Sequence, residues 1–270
     1  MKKLLYLYCV TKDNLLTFNF EDLGIAVRSI CFQGICAIVS EVLPEDFSED
    51  NLKKNLTDMG WVEKNIRFHE KVIEAVMKNS CLPDRQACVI PFKFGTLFNT
   101  EENLKIMLKQ HVGKFKTTLK HLEGKEEWGV KVYCDIDKLK ANLIHEDKEL
   151  LSIDKEINFA SPGKAFILKK KKDELIKTNI NKKLNEYGQL IFEKLNQHST
   201  QSCINKLLPK EVTERKVEMI LNSAFLIEKN KAGGFIEAEG ALNKISQELG
   251  FLLDFTGPWP PYNFTNLKKA

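Results

Sequence analysis

The 270-residue sequence predicts an α+β protein of two domains followed by a stiff C-terminal tail, and three observations predict it. Period-two runs and 3.6-period stripes both occur in each half of the chain. A turn-and-charge break, Gly124-Lys125-Glu126-Glu127, falls near the middle. The segment 257–270 opens with three prolines in four positions. The expected divisions are therefore 1–124, 125–256 and 257–270. Apolar residues make up 43% and charged residues 29%, which is enough to bury a core in each part.

The first third reads as strands at Leu4–Val10, Gly24–Phe32 and Ile35–Leu43, the last two joined through a Gln33-Gly34 hairpin turn. A polar helical stretch follows Pro44. A stronger helix then runs from Trp61 to about Asn79, with Val62, Ile66, His69, Ile73 and Val76 on one face. Pro83 ends that region, and Cys88–Phe92 reads as another strand, its proline suggesting an edge or a strand end. Phe94-Gly95-Thr96-Leu97-Phe98 is a kinked apolar link. The next helix starts on an Asn99/Glu102 capping box, and Leu104, Leu108, His111, Phe115, Leu119 and Leu122 trace its face.

After the break, Trp128–Cys134 alternates as a strand and Asp137–Leu151 is helical. A loop through Ser161-Pro162-Gly163 leads to a long helix from about Lys169 to Gln197, striped by Ile176, Ile180, Leu184, Tyr187, Ile191 and Leu195. Strands follow near Ser202–Leu208 and Val217–Glu228. A helix with Phe235, Ala238, Leu242, Ile245 and Leu249 ends at Gly250, and Phe251–Phe255 is the last strand. The order βαββαβ is that of a ferredoxin-like sandwich with its first crossover enlarged by an extra helix.

Charge and cysteine usage bound the function. The net charge is only +4, so a polyanionic partner has little support. Acidic residues concentrate at Glu41, Glu45, Asp46, Glu49, Asp50 and Asp58. Lysines concentrate at Lys164, Lys169 to Lys172, Lys177, Lys182 and Lys183. Such asymmetry steers a partner or pairs copies head to tail, unless both are simply solvated faces. Seven cysteines without CxxC spacing suit a reducing compartment. Cys31 and Cys36 would face each other across the Gln33-Gly34 turn. They read as small buried hydrophobes, with a disulfide or half a metal site as the other reading. No apolar run is long enough for a membrane span, and the start Met1-Lys-Lys is unlike a signal peptide, so a cytoplasmic protein is expected.

The residues offer no catalytic, cofactor or metal constellation. His69-Glu70 fails the HExxH zinc pattern because Ile73 stands where the second histidine belongs. No G-x-S-x-G, P-loop or G-x-G-x-x-G occurs. A nucleic-acid or nucleotide-binding module on ferredoxin-like domains is the alternative reading. Against it, Val217-Glu218-Met219-Ile220-Leu221 carries no aromatic for stacking bases.

The tail Gly257-Pro258-Trp259-Pro260-Pro261-Tyr262-Asn263-Phe264 is the most distinctive segment. Its prolines remove three backbone donors and fix an extended path that cannot continue a sheet. Trp259, Tyr262 and Phe264 either latch the tail to the protein's own domains or dock a partner.

This tail, directly after Gly250-Phe251-Leu252-Leu253-Asp254-Phe255-Thr256, resembles the closing signature of the gas vesicle F/L proteins. Ile90-Pro91-Phe92-Lys93-Phe94-Gly95-Thr96-Leu97-Phe98 resembles the family's P-x-R-F-G-T segment, with Lys93 where arginine is usual. Glu127-Trp128-Gly129-Val130-Lys131-Val132 and Ser161-Pro162-Gly163-Lys164-Ala165 resemble its second-domain strand and mid-chain turn. The resemblance implies a modified ferredoxin-like second domain and an accessory or minor structural role in gas vesicles. It implies as partners the small hydrophobic shell protein, kept from aggregating during nucleation, and other gas vesicle accessory proteins. No cofactor, nucleic acid or membrane is implied. The residues expected to carry interaction or latching are Pro258, Trp259, Pro260, Pro261, Tyr262, Phe264 and Phe94.

Overall fold

A computed structural model describes residues 3–12, 18–20, 25–78, 87–213 and 215–265. The chain folds into two compact units. The first holds the residues up to Glu126 together with those from Pro260 on, and the second runs Glu127–Trp259. The chain is α+β, with one sheet in each unit.

The first unit contains β1 (Leu4–Thr11), β2 (Phe18–Phe20), β3 (Ile25–Phe32), β4 (Ile35–Val42), β5 (Val89–Pro91) and β6 (Leu97–Phe98). Their order is β2-β3-β4-β1-β5, with β6 also pairing β1. Its helices are α1 (Pro44–Phe47), α2 (Glu49–Asn55), α3 (Met59–Lys78) and α4 (Glu101–Leu122). From Leu5 to Thr11 every residue of β1 is buried, so both faces of this central strand are covered. Tyr6, Tyr8, Ile38 and Val42 share a cluster with Phe68, Val72, Ile73 and Val76 of α3. Helix α4, buried along Leu104, Leu108, Phe115, Leu119 and Leu122, lies across β3, β4, β1 and β5.

The β3–β4 turn has positive φ at both Gln33 (49°) and Gly34 (80°), the conformation of a two-residue hairpin that follows strand twist. That register sets Cys31 opposite Cys36, and the two are joined as a disulfide where the sequence favoured free thiols. Composition speaks to the compartment and the turn speaks to distance. The Cα atoms are 4.0 Å apart.

The second unit contains β7 (Lys125–Cys134), which begins just before it, then α5 (Ile136–Glu146), α6 (Lys148–Phe159) and α7 (Pro162–Asn196). Next come β8 (Gln201–Ile204), a short α8 (Lys210–Thr213), β9 (Glu218–Glu228), α9 (Ala232–Glu248) and β10 (Phe251–Trp259). The sheet order is β10-β7-β9-β8. Trp128, Val130 and Val132 of β7 pack with Phe225 and Ile227 of β9, Phe251 and Leu253 of β10, and Ile191 and Leu195 of α7.

Several expectations are corrected by local chemistry. The helix expected over Asp137–Leu151 is two helices, because the Asp147 carboxylate accepts from the N–H groups of Glu149 and Leu150 and starts a new one. The expected loop through Ser161-Pro162-Gly163 gives way to helix from Pro162 on, well before Lys169. Pro162 is suited to a first turn, where its missing donor is not needed, and α7 runs 35 residues from it, about 50 Å. The lysine run therefore lies inside a helix. The cap of α4 is Thr100, one residue later than Asn99, with its hydroxyl accepting from Asn103 N at 3.2 Å. In α3 the buried line includes Phe68 and Val72, whereas Ile66 is exposed; in α9 Ile245 is exposed and Ser246 buried. Pro83, Gly24 and Asn79 lie outside the described residues.

The tail also departs from expectation. Strand β10 does not stop at Phe255 but pairs with β7 as far as Trp259, opposite Glu127. A register shift between Thr256 and Trp259 takes Gly257 and Pro258 out of the pairing. The missing proline donor is thereby not required, and the pairing resumes at Trp259. Beyond it the chain turns, with a one-turn 3-10 helix over Tyr262–Phe264 in place of a straight proline rod.

Candidate functional site

The described residues hold no group of three or more metal-ligating side chains. What they hold is a buried polar chain in the first unit, built on α3 and closed by the C-terminal segment. Tyr6 and Tyr8 project from β1 with ring centroids 4.7 Å apart, and His69 of α3 lies against both. Phe94 closes the same nest edge-on to Tyr6, Trp61 and His69 at about 6 Å.

The hydrogen bonds fix one consistent direction. Gly95 N–H donates to Tyr6 Oη at 3.0 Å, and Tyr6 O–H donates to His69 Nδ1 at 2.9 Å. His69 Nε2 then carries the proton and faces two acceptors, the Phe92 carbonyl at 3.1 Å and Tyr262 Oη at 3.0 Å. Tyr262 O–H donates onward to Glu70 Oε1 at 2.9 Å. The tautomer follows from this network, since only a neutral ring accepts at Nδ1 and donates at Nε2. No buried side-chain nitrogen or oxygen among the described residues lacks a partner.

Burial governs the electrostatics. It pushes His69 down from 6.5 to about 4, opposed by the bond to the Phe92 carbonyl. It raises the carboxyl of Glu70, opposed by the Tyr262 hydroxyl, and raises Tyr262, which also faces Glu70. Tyr8 is raised to about 12 by burial, with its hydroxyl bonded to Ser40 at 2.8 Å. An adjacent cavity of about 30 Å³, lined by Tyr6, Tyr8, Phe47, Phe68 and Phe94, has room for a water or two and none for a substrate.

A pH dependence follows. The folded value of His69 lies below the unfolded one, so its contribution to stability is complete above about 6.5 and is lost as pH falls toward about 4. Glu70, raised in the folded state, acts in the opposite sense as it protonates. The expected outcome is that wild type loses about 2–3 kcal/mol more than His69→Gln between neutral pH and pH ~4. Denaturant unfolding at each pH checks it, and equal pH slopes would exclude a buried neutral histidine.

The sequence-predicted residues fall into two places. Pro260, Pro261 and Phe264 are buried in the first unit, where Tyr262 and Phe94 also pack. Trp259 and Pro258 are exposed in the second, Trp259 at 43%, with its indole N–H donating to Thr256 Oγ1 at 3.0 Å. Lys93 is exposed, and its carbonyl accepts from Thr96. Tyr6 and Tyr8 were missed by sequence reasoning, and Glu70 entered it only within a failed zinc pattern. The signal for the tyrosines was their i, i+2 spacing on one strand; nothing in the sequence joins Glu70 to Tyr262.

The sequence matches the family described as "Gas vesicle synthesis protein GvpL/GvpF" over residues 4–266. It is 22% identical to gas vesicle protein L of Streptomyces sp. (strain CB03234) over 99% of this chain and 94% of that protein. It is equally 22% identical to gas vesicle protein F1 of Halobacterium salinarum, over 99% and 95%. The fold is that of the crystal structure of GvpF from Anabaena sp. PCC7120, with a TM-score of 0.73 at 19% identity, covering 99% of this chain and all of that one. GvpF from Microcystis aeruginosa gives 0.67 at 19% over the same shares. A match over nearly the whole chain places this protein in the GvpL/GvpF family of gas vesicle synthesis proteins, and with it a gas-vesicle-associated role.

Proposed function

We propose that this protein is a non-catalytic accessory or minor structural component of the gas vesicle. It binds the small hydrophobic shell protein and limits its aggregation while vesicles nucleate and grow, working with other gas vesicle accessory proteins in the cytoplasm. The observation that carries this reading is the family match across residues 4–266, on a chain whose buried polar network is filled by its own tail. No described helix is long and apolar enough to cross a membrane.

Two finer structural readings accompany it. The sheet order β10-β7-β9-β8, with α5 to α7 in the first crossover and α9 in the second, supports a modified ferredoxin-like sandwich as a second domain. The split signature supports two jobs for the terminal motif. Tyr262 and Phe264 latch it to the first unit, and Trp259, exposed beside Pro258, is left to dock the shell protein.

Co-expression with the shell protein and affinity capture tests the function. Trp259→Ala is expected to reduce capture at least tenfold, the loss of one interface tryptophan being worth about 2 kcal/mol or more. Melting of the isolated protein stays within a degree or two of wild type. Wild type that captures no shell protein would refute the function. Undiminished capture by the variant would refute only the role of Trp259.

A further inference from the structure

Two surface features lie outside the latch and the terminal signature. The first is the elbow between α6 and α7 in the second unit. Phe159 is 93% exposed, Phe166 72% and Ile167 66%. Three large apolar side chains left open around one turn are uncommon on a soluble monomer. A groove beside Phe159 is lined by Lys155, Glu156 and Lys164, and Lys169, Lys170 and Lys171 stand exposed one turn further along α7. The elbow is well built. Lys172 bonds both carboxylate oxygens of Asp154, and Asn179 donates to Asp147, so α6 and α7 are tied together at two successive levels behind the exposed tip.

The second feature is a ledge in the first unit made of α1 and α2. Asn51 donates to the Pro44 carbonyl at 3.1 Å and Asn55 to that of Asp46 at 3.0 Å, which clamps the two short helices into one surface. Glu45, Asp46, Glu49 and Asp50 are exposed there, with Asp58 at its far end; Lys53, which pairs with Glu49 at 2.8 Å, and Lys54 offset part of that charge. Among them Leu43 is 46% exposed, Leu56 47% and Met59 75%.

We propose that the elbow of one copy docks on the ledge of a second copy of this chain. Each patch couples open apolar side chains with an excess of one charge sign, lysines outnumbering Glu156 at the elbow and carboxylates outnumbering Lys53 and Lys54 at the ledge, and the excesses are opposite. Phe159, Phe166 and Ile167 cover Leu43, Leu56 and Met59, while the lysines of 164–171 face the carboxylates of 45–50. The two patches are different surfaces, so the contact is heterologous and repeats from copy to copy as a ring or an open row. Each patch offers only three open apolar side chains, so the contact is weak and forms at high local concentration. Its charges set approach and register, and salt weakens them.

Sedimentation velocity of the full chain, across a concentration series at low and high salt, tests this. At low salt the average mass is expected to rise with concentration, and at high salt to return toward the monomer. Reversing the elbow (Lys169→Glu, Lys170→Glu, Lys171→Glu) or the ledge (Glu45→Lys, Asp46→Lys, Glu49→Lys) is expected to weaken association at least tenfold. An equimolar mixture of the two variants restores it, because every elbow again meets a ledge of opposite sign. Phe159→Ser weakens association without changing circular dichroism or melting, since that ring is exposed. A wild type that stays monomeric at every concentration and salt overturns the proposal. So does a mixture that fails to reassociate, or an elbow variant that dissociates while the ledge variant does not.

Discussion

Removal of residues 257–270 is expected to lower the melting temperature by on the order of 10 °C and to abolish gas vesicle formation. Phe264 is 1% exposed and Pro260 and Pro261 are buried, so the deletion uncovers apolar surface on the first unit. A buried phenylalanine cut back to alanine costs about 3–5 kcal/mol. The deletion also strips Glu70 of the Tyr262 hydroxyl, leaving a half-buried carboxylate without that donor. His69 keeps the Phe92 carbonyl, which makes the apolar loss the larger part. Two point variants separate the contributions. Phe264→Ala is expected to reproduce most of the melting shift, and Tyr262→Phe about 1–2 kcal/mol of it. Thermal melting of the purified proteins, beside phase-contrast imaging of cells complemented with each, gives both readouts. Unchanged melting with normal vesicles in the truncated protein would remove the basis for a latch.

Gly257→Ala, a single methyl group, is expected to cost about 2–4 kcal/mol. Gly257 has φ 142°, a region that other residues rarely enter. A Cβ there would stand 2.9 Å from Trp128 Cε3 and 3.0 Å from the Glu127 carbonyl. Neither neighbour has freedom to retreat. Trp128 is 9% exposed and stacked on Phe255 with centroids 4.7 Å apart, and Glu127 is paired with Trp259 across the strands. Gly163→Ala is the control, since a Cβ there meets nothing within 4 Å and the residue sits in the first turn of α7. Denaturant unfolding of both variants checks the pair. Equal stabilities would mean that the glycine of the signature is not held by packing.

Periodicity determined a large share of this protein without help from tertiary structure. The runs at Leu4–Val10, Ile35–Leu43 and Trp128–Cys134 are strands, and the stripe from Ile176 to Leu195 is a helix, because each pattern matches one backbone period over many residues. The motifs at 90–98 and 257–264 carried the resemblance to the family that the match over residues 4–266 shows, and their glycines and prolines restrict the backbone at fixed positions.

Where a pattern was short or its cap ambiguous, local competition decided instead. Thr100 in place of Asn99, Asp147 splitting one helix into two, and Pro162 opening α7 are each the outcome of which side chain or ring reaches the free backbone groups first. Only the tertiary structure brought Tyr6, His69, Glu70 and Tyr262 into one hydrogen-bonded chain across sequence separations of 63 and more than 190 residues. No local rule carries that information. A histidine on an apolar helix face has no assigned partner until burial removes water and leaves the Phe92 carbonyl and the two tyrosines as its choices. For the same reason the terminal aromatics were one undivided motif in sequence, and packing divided them, sending Tyr262 and Phe264 inward and leaving Trp259 in the open.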